Sequence, residues 1–454
     1  MHIIAERKRS KGNPERAKVN PKPVNGHNMF IFLYHFIWTS VFILCAPFIS
    51  LLKSARFRER LALKLPDISP GSGNIWVHAL SVGEVISALP LIDALKLEYP
   101  GTDIVFTVST KKGMSVAGKE LKGKVRAIIT MPVDFRWSVR RVFRFIRPSV
   151  FILVETDIWP GLIDYLAGRG VKSILVNGRV SPGTFKSYNM APFLTRIIFD
   201  KIDLCLMQSD LDRERLLHIG IDPEKVKTAG NIKFDRVQAP MSQEERLKWH
   251  NLLGLSDKNQ VWVAGSTHPG EEEVMLRVFK KLRTDYPLLR LIIAPRRIEQ
   301  SEQIVSLARD MGVKAALRSG LSDKKRGSEV IILDTLGELG RIYGLSQVSF
   351  AGGSLVPFGG HNLLEPAGFG CPVLFGPHTF NFVSMSDALL DAGGGWRVRD
   401  ERELYYAVKT LIGNPEKRAE MGIHAKGFVE KNRGALRRVM SYIRTSLDDS
   451  GEAD

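Results

Sequence analysis

The sequence predicts an α/β protein made of two doubly wound Rossmann-like domains. Three observations lead there. Short apolar, β-branched runs alternate with amphipathic stretches; the alternation lapses between about residues 234 and 259 and then restarts; and turns rich in glycine or acid follow the carboxyl ends of the runs. Near-continuous apolar strands alternating with helices mean a parallel sheet covered on both faces. A length of 454 residues accommodates two such domains.

Residues 1–28 form a basic flexible tail, with Arg7, Lys8, Arg9, Lys11, Arg16, Lys18 and Lys22 scattered among glycines and prolines. A membrane anchor helix is expected over 29–53. Residues 29–52 carry no formal charge with histidine neutral, and the stretch is long enough to span a bilayer core. Its start is aromatic, as interfacial anchors are, and no small-residue cleavage site follows it. Basic residues flank it on both sides, so charge does not orient it; it spans, or it lies in one leaflet.

The first domain is expected over 72–235. Strands are predicted at 75–79, 104–108, 127–131, 150–154 and 173–176. A helix over 84–99 buries Val85, Leu89, Ile92 and Leu95; one over 135–146 buries Val139, Val142, Phe143 and Ile146 and turns Arg136, Arg140 and Arg144 outward. Polar residues 236–258 read as a linker. The second domain, 259–425, has strands at 261–265, 289–294, 329–333, 348–351 and 372–375 and a helix over 271–283. Residues 426–454 complete the chain as a C-terminal helix and tail, within a basic helical stretch, 416–447, suited to packing back across the first domain.

A hydrophobic share of 44% fits a packed protein, and the formal charge of +17 implies an anionic partner: a phosphate-rich substrate, an acidic membrane surface or nucleic acid. Nucleic acid is set aside, since no basic cluster is interleaved with aromatics and no binding module is recognisable. Cys45, Cys205 and Cys371 lie far apart without metal-ligand spacing, which suits a reducing compartment. No metal site is expected.

The chemistry falls in the turns, where ligands of doubly wound sheets bind. The densest is Gly352-Gly353-Ser354-Leu355-Val356-Pro357-Phe358-Gly359-Gly360-His361-Asn362-Leu363-Leu364-Glu365-Pro366, between a strand and a helix. Paired glycines admit a ligand close to the backbone and leave N–H groups for an anion, or they form a turn that merely packs. Asn362 and Glu365 share a face of the first helical turn, where a carboxylate can accept two ribose hydroxyls. Ser81-Val82-Gly83-Glu84 puts Glu84 at a helix start, as a proton acceptor or as the N3 member of a capping box. Glu155 ends another strand, facing the cleft or capping the next helix. Lys233 closes the first domain, as a neutralising charge or a solvent lysine. Ser266 and Thr267 open the second domain as phosphate candidates beside Gly353, Ser354 and His361, in competition with helix capping by the acids at 271–273. Pro295-Arg296 ends a strand where an arginine grips an anion in two-point fashion, and Leu336, Gly337 and Glu338 can pair with a base edge.

Together these residues resemble the 3-deoxy-D-manno-octulosonic acid (Kdo) transferase family of lipopolysaccharide synthesis. The motifs at 81–84, 155–160, 230–235, 265–272, 295–296, 334–339, 352–366 and 376–382 carry the resemblance in order. It implies two domains facing across a cleft, the glycosyltransferase B type. It implies inverting, metal-independent transfer of Kdo from CMP-Kdo to a lipid A precursor, with no cofactor beyond the donor. It implies an enzyme on the inner membrane, its catalytic domains cytoplasmic. Glu84 is then the general base, and Glu155 and Lys233 stabilise the transition state. Pro295, Arg296, the 336–338 loop and residues 362–365 (Asn362, Leu363, Leu364, Glu365) bind CMP. The chain departs from the family at Asp157, Ile158 and Gly161, at Gly178 and Val180, and at Arg297. The first two groups sit on the acceptor side. Another nucleotide-sugar enzyme of the same architecture, a UDP-sugar transferase or epimerase, is the competing reading.

Overall fold

The computed structural model describes residues 25–51, 55–67, 70–236, 240–321 and 327–448. Two seven-stranded sheets, parallel throughout, organise them. The first contains β1 (Asn74–Ala79), β2 (Ile104–Val108), β3 (Ala127–Thr130), β4 (Pro148–Val154), β5 (Lys172–Gly178), β6 (Leu204–Met207) and β7 (Val226–Thr228), in the order β3-β2-β1-β4-β5-β6-β7. The second contains β8 (Gln260–Thr267), β9 (Leu289–Pro295), β10 (Ala315–Leu317), β11 (Val330–Ile332), β12 (Val348–Ala351), β13 (Val373–Phe375) and β14 (Gly395–Arg397), in the order β10-β11-β9-β8-β12-β13-β14.

The period-2 geometry of a strand explains the continuous apolar runs, because helices cover both faces. Ile75, Val77, Val150, Ile152 and Val154 enter the core on one face of the first sheet; Trp76, Phe151 and Leu153 enter the core on the other. The strand order reverses between β1 and β4 and again between β8 and β12. Each reversal opens a crevice at the carboxyl ends of the two strands.

Some expectations are corrected. The polar linker is largely a helix, Gln243–Leu253. Ser242 accepts the Glu245 N–H at 3.1 Å, and Gly254 ends the helix at φ +63°. Only Leu253 of that helix is buried, so the sequence carried no apolar periodicity. The C-terminal stretch is two helices, Pro415–Asn432 and Ala435–Asp448, separated at Gly434 with φ +84°. The second packs back on the first domain as expected. Ala435, Val439, Met440 and Ile443 join that core, Arg438 Nε donates to Ala229 O at 2.7 Å, and Asp235 accepts the N–H groups of Gly434 and Leu436.

The segment expected as an anchor forms the helix Asn25–Leu51. Tyr34 donates to Asp134 at 2.6 Å and so fastens this helix to the first domain. Among the described residues no helix is long and apolar enough to cross a membrane, and the spanning anchor goes unconfirmed. Most of the expected tail, residues 1–24, and the far end of the anchor, 52–53, lie outside the described residues.

Candidate active site

Glu84 stands at the first reversal, in the opening turn of the helix Val82–Glu98 that follows β1. Neither bond of the capping box forms. The Ser81 hydroxyl makes no cap bond to the backbone; it donates to Glu84 Oε1 at 3.3 Å, and the Leu80 N–H donates to Oε2. The carboxyl is 8% exposed. Burial, then the negative charge of Glu155, pushes its pKa up to about 7, against the pull of the Leu80 N–H. A carboxylate so tuned is half ionised near neutral pH, the range in which a general base works best.

Across the crevice, Glu155 follows β4 with φ +63°, a conformation few side chains adopt. Its Oε1 accepts from Lys233 Nζ at 2.8 Å. Lys233 is held by the short helix Ile232–Arg236, whose first N–H donates to Asn177 Oδ1 at 3.1 Å. Asn177, on β5, also has positive φ, +58°. The carboxyl edge of the first sheet is therefore strained at two successive strands, both locked by the turn that carries Lys233.

Asp157 was noted in the sequence only as a departure, yet it is the hub of this edge. It accepts from His78 Nε2 at 3.0 Å, Trp159 Nε1 at 3.0 Å and Ser109 Oγ at 3.2 Å. Burial opposes its charge, but His78, Trp159 and Ser109 together hold the carboxyl below its usual range. His78 lies on β1 and is fully buried, its Nδ1 against the Thr107 hydroxyl at 2.9 Å. A histidine inside an apolar strand needs partners on both nitrogens, and that was the available signal. Beside Ser109 a cavity of about 410 Å³ opens, lined by Arg56, Glu59, Lys111, Thr110 and Met114 among others.

At the second reversal the expectation about the glycine loop is corrected. The N–H groups of its first turn are not free for an anion. Glu271, fully buried, accepts from Gly353 at 2.6 Å, Ser354 at 3.0 Å, Leu355 at 2.9 Å and His268 at 2.9 Å. Burial raises its pKa while these four bonds lower it. Ser354 is also fully buried; its hydroxyl donates to Ala351 O and accepts the Gly376 N–H at 2.8 Å. Thr267 is 1% exposed, and its carbonyl accepts the Arg296 N–H. These residues shape the loop instead of facing open space. Ser266, at φ +56°, turns the end of β8.

What faces outward is a pair of imidazoles. His268 Nε2 and His361 Nε2 are 2.9 Å apart, and the His268 ring stacks on Phe358. Burial, then Arg296, lowers both pKa values, that of His361 to about 4. Arg296, directly after Pro295, is exposed. Asn362 Nδ2 donates to Glu365 Oε1 at 3.1 Å, and Asn362 Oδ1 accepts the Leu364 N–H at 3.1 Å, which fixes the carboxylate at the start of the helix Leu364–Gly368; Leu363 is buried beneath. In the neighbouring loop Leu336 is 70% exposed, Gly337 has φ +85°, and Glu338 is tied to Arg318 at 3.0 Å.

The first edge thus holds a carboxyl able to act as a base beside a charged pair, and the second holds groups suited to an anion, a ribose and a base. Among the described residues no hydrogen bond or ion pair joins the two clusters, and no three His, Cys, Asp or Glu side chains converge as metal ligands.

The family model for "3-Deoxy-D-manno-octulosonic-acid transferase (kdotransferase)" matches residues 55–236. The 3-deoxy-D-manno-octulosonic acid transferase of Haemophilus influenzae is 33% identical over 428 residues, which cover 92% of this chain and 99% of the relative. Two solved structures share the fold. A glycosyltransferase from Rickettsia africae gives a TM-score of 0.53 at 12% identity, covering 83% of this chain and 99% of that one. The UDP-GlcNAc 2-epimerase of Neisseria meningitidis gives 0.55 at 12%, covering 82% and 100%.

Proposed function

The chain belongs to the 3-deoxy-D-manno-octulosonic acid transferase family and is a glycosyltransferase, and from that premise we propose that it moves Kdo from CMP-Kdo to a hydroxyl of a lipid A precursor, with inversion and without a metal. The observation that carries this reading is Glu84, a carboxyl with a pKa of about 7 at the first sheet's reversal, beside the Glu155–Lys233 pair.

Glu84 takes the proton of the acceptor hydroxyl as its oxygen attacks the anomeric carbon, and the bond from that carbon to the CMP phosphate oxygen breaks. Attack from the face opposite the leaving group inverts the centre. Lys233 supplies positive charge beside the reacting carboxylated sugar, and Glu155 orients the ammonium. Arg296, with His268 and His361, meets the phosphate of the departing CMP. Glu365 suits the ribose, and the exposed Leu336 suits the face of the cytosine. These protein cations supply the charge that a metal supplies in other nucleotide-sugar enzymes. The family match favours this donor over a UDP-sugar; the likeness to the epimerase is one of fold alone.

The acceptor reading draws support from the cavity beside Ser109, where Arg56 and Lys111 suit a sugar phosphate. Phe32, Leu33, Phe36, Ile37, Val41 and Leu44 are exposed on the helix Asn25–Leu51. Laid in the cytoplasmic leaflet of the inner membrane, they would bring the first domain to its lipid substrate.

The test is transfer to tetra-acylated lipid A precursor in detergent, with CMP-Kdo generated in situ and products resolved by mass. A gain of one or more Kdo units is expected. Folded protein that binds CMP and makes no product would remove the acceptor; protein that binds UDP and not CMP would remove the donor.

A further inference from the structure

We propose that His268 and His361 form a single proton-accepting unit in the donor site, and that the donor phosphate binds together with one proton taken up by that unit. The inference rests on the CMP-sugar reading and adds a proton to it.

Two features put the burden of anion binding on these side chains. The first turn of the glycine loop cannot receive a phosphate through its backbone, because Glu271 already occupies the N–H groups of Gly353, Ser354 and Leu355. The histidines also sit at the reversal itself, His268 after β8 and His361 in the loop after β12. Their rings are nearly parallel, at 7°, with centroids 5.2 Å apart. Gly353 makes room for them: a Cβ there would lie 3.1 Å from His361 and 3.2 Å from His268.

The Nε2 to Nε2 distance of 2.9 Å requires that one hydrogen lie between the rings. In the neutral pair one ring donates its Nε2–H to the other, so the accepting ring carries Nδ1–H and the donating ring has a bare Nδ1 lone pair. A single added proton fills that lone pair. The pair then has N–H at both outer ends and one positive charge. A second proton would break the bond between the rings, so the capacity is one. The neutral pair turns a lone pair outward; the protonated pair turns only donors outward, and only the latter suits a phosphate.

The charged groups facing the pair make this proton depend on the ligand. Arg296 faces both rings and Arg297 faces His268. The nearby carboxylate, Glu271, is committed to backbone N–H groups beneath the loop, one of them that of His268. Burial and these arginines keep the empty pair neutral at pH 7. A phosphate set against Arg296 reverses the field, raises the pair's proton affinity and draws a proton from solvent.

The experiment is calorimetric titration of the full-length protein with CMP, repeated in buffers of different ionisation enthalpy at about pH 7, where a phosphate monoester is already about nine-tenths ionised. Uptake of up to about half a proton per CMP is expected in the native chain, rising as pH is lowered toward about 6, with affinity falling as pH rises. In His361→Gln and in His268→Asn, CMP should bind more weakly and with uptake near zero. CMP binding to the native chain without proton uptake would overturn the proposal, and so would full uptake in both variants. If the folded native chain binds UDP and not CMP, the donor reading fails and this inference falls with it.

Discussion

Lys233 Nζ lies 2.8 Å from Glu155 Oε1, an ion pair that joins the last turn of the first domain to the carboxyl end of β4. Both side chains are partly exposed, so the pair adds little stability. Its placement is the informative part. Glu155 sits at φ +63°, strain of about 1–2 kcal/mol that persists only where the surroundings impose it.

Replacing Lys233 with Met removes the ammonium but keeps the length of the side chain. Transfer should fall roughly 10²–10³-fold, the usual cost of removing one charge-stabilising group. CMP affinity should stay within about threefold, because the residues proposed for CMP lie at the edge of the other sheet. Lys233→Arg should recover part of the rate. Single-turnover transfer and CMP titration read the two effects separately, and equal losses in both would place Lys233 in donor binding instead.

Glu84 gives the pH dependence its sign. Its carboxyl titrates at about 7, raised from the ordinary value, and only the ionised form can accept the hydroxyl proton. The rate at saturating donor should therefore climb with pH through about 7 and level off above it. Glu155 is the second cause of the shift, after burial. Glu155→Gln should thus move the rising limb to lower pH, even though its plateau falls. Glu84→Ala should lose about 10²–10⁴-fold on the plateau above about pH 7, and the rising limb should vanish. A limb that stays put in Glu155→Gln would mean that some other group controls it.

Which parts of this were legible in the sequence follows from where the information lies. Strands β1, β4, β8 and β12 could be read because both of their faces are buried, which leaves long apolar runs. β7, β10 and β14 are three residues long and lie toward or at the sheet edges, and they left no such run. Glu84, Glu155, Lys233 and Glu365 could be singled out as candidates because each follows or precedes an element with a readable boundary. Glu271 was read as a helix-capping acid; three of its four partners are more than 80 residues away at the glycine loop, a separation no local pattern encodes. The same holds for His78 with Asp157 and for His268 with His361.

The close approach at the glycine loop can be tested by adding one carbon. A Cβ on Gly352 would lie 2.4 Å from Ser266 O and 2.6 Å from Thr267 Cα, both backbone atoms at the end of β8. No rotamer change relieves that contact, so β8 and the loop must part. Gly352→Ala should cost at least about 1–3 kcal/mol. Separating the strands also disturbs the turn that holds His268 and Glu271, so CMP affinity should drop with stability. Gly427 provides the contrast. It lies in the helix Pro415–Asn432 with nothing within 4 Å of its would-be Cβ. There alanine removes only backbone freedom from the unfolded chain and should add about 0.5–1 kcal/mol without touching CMP binding. Urea unfolding midpoints and CMP titration of the two variants read both quantities. Equal stability in the two would show that the loop does not press on β8 as the backbone distances require.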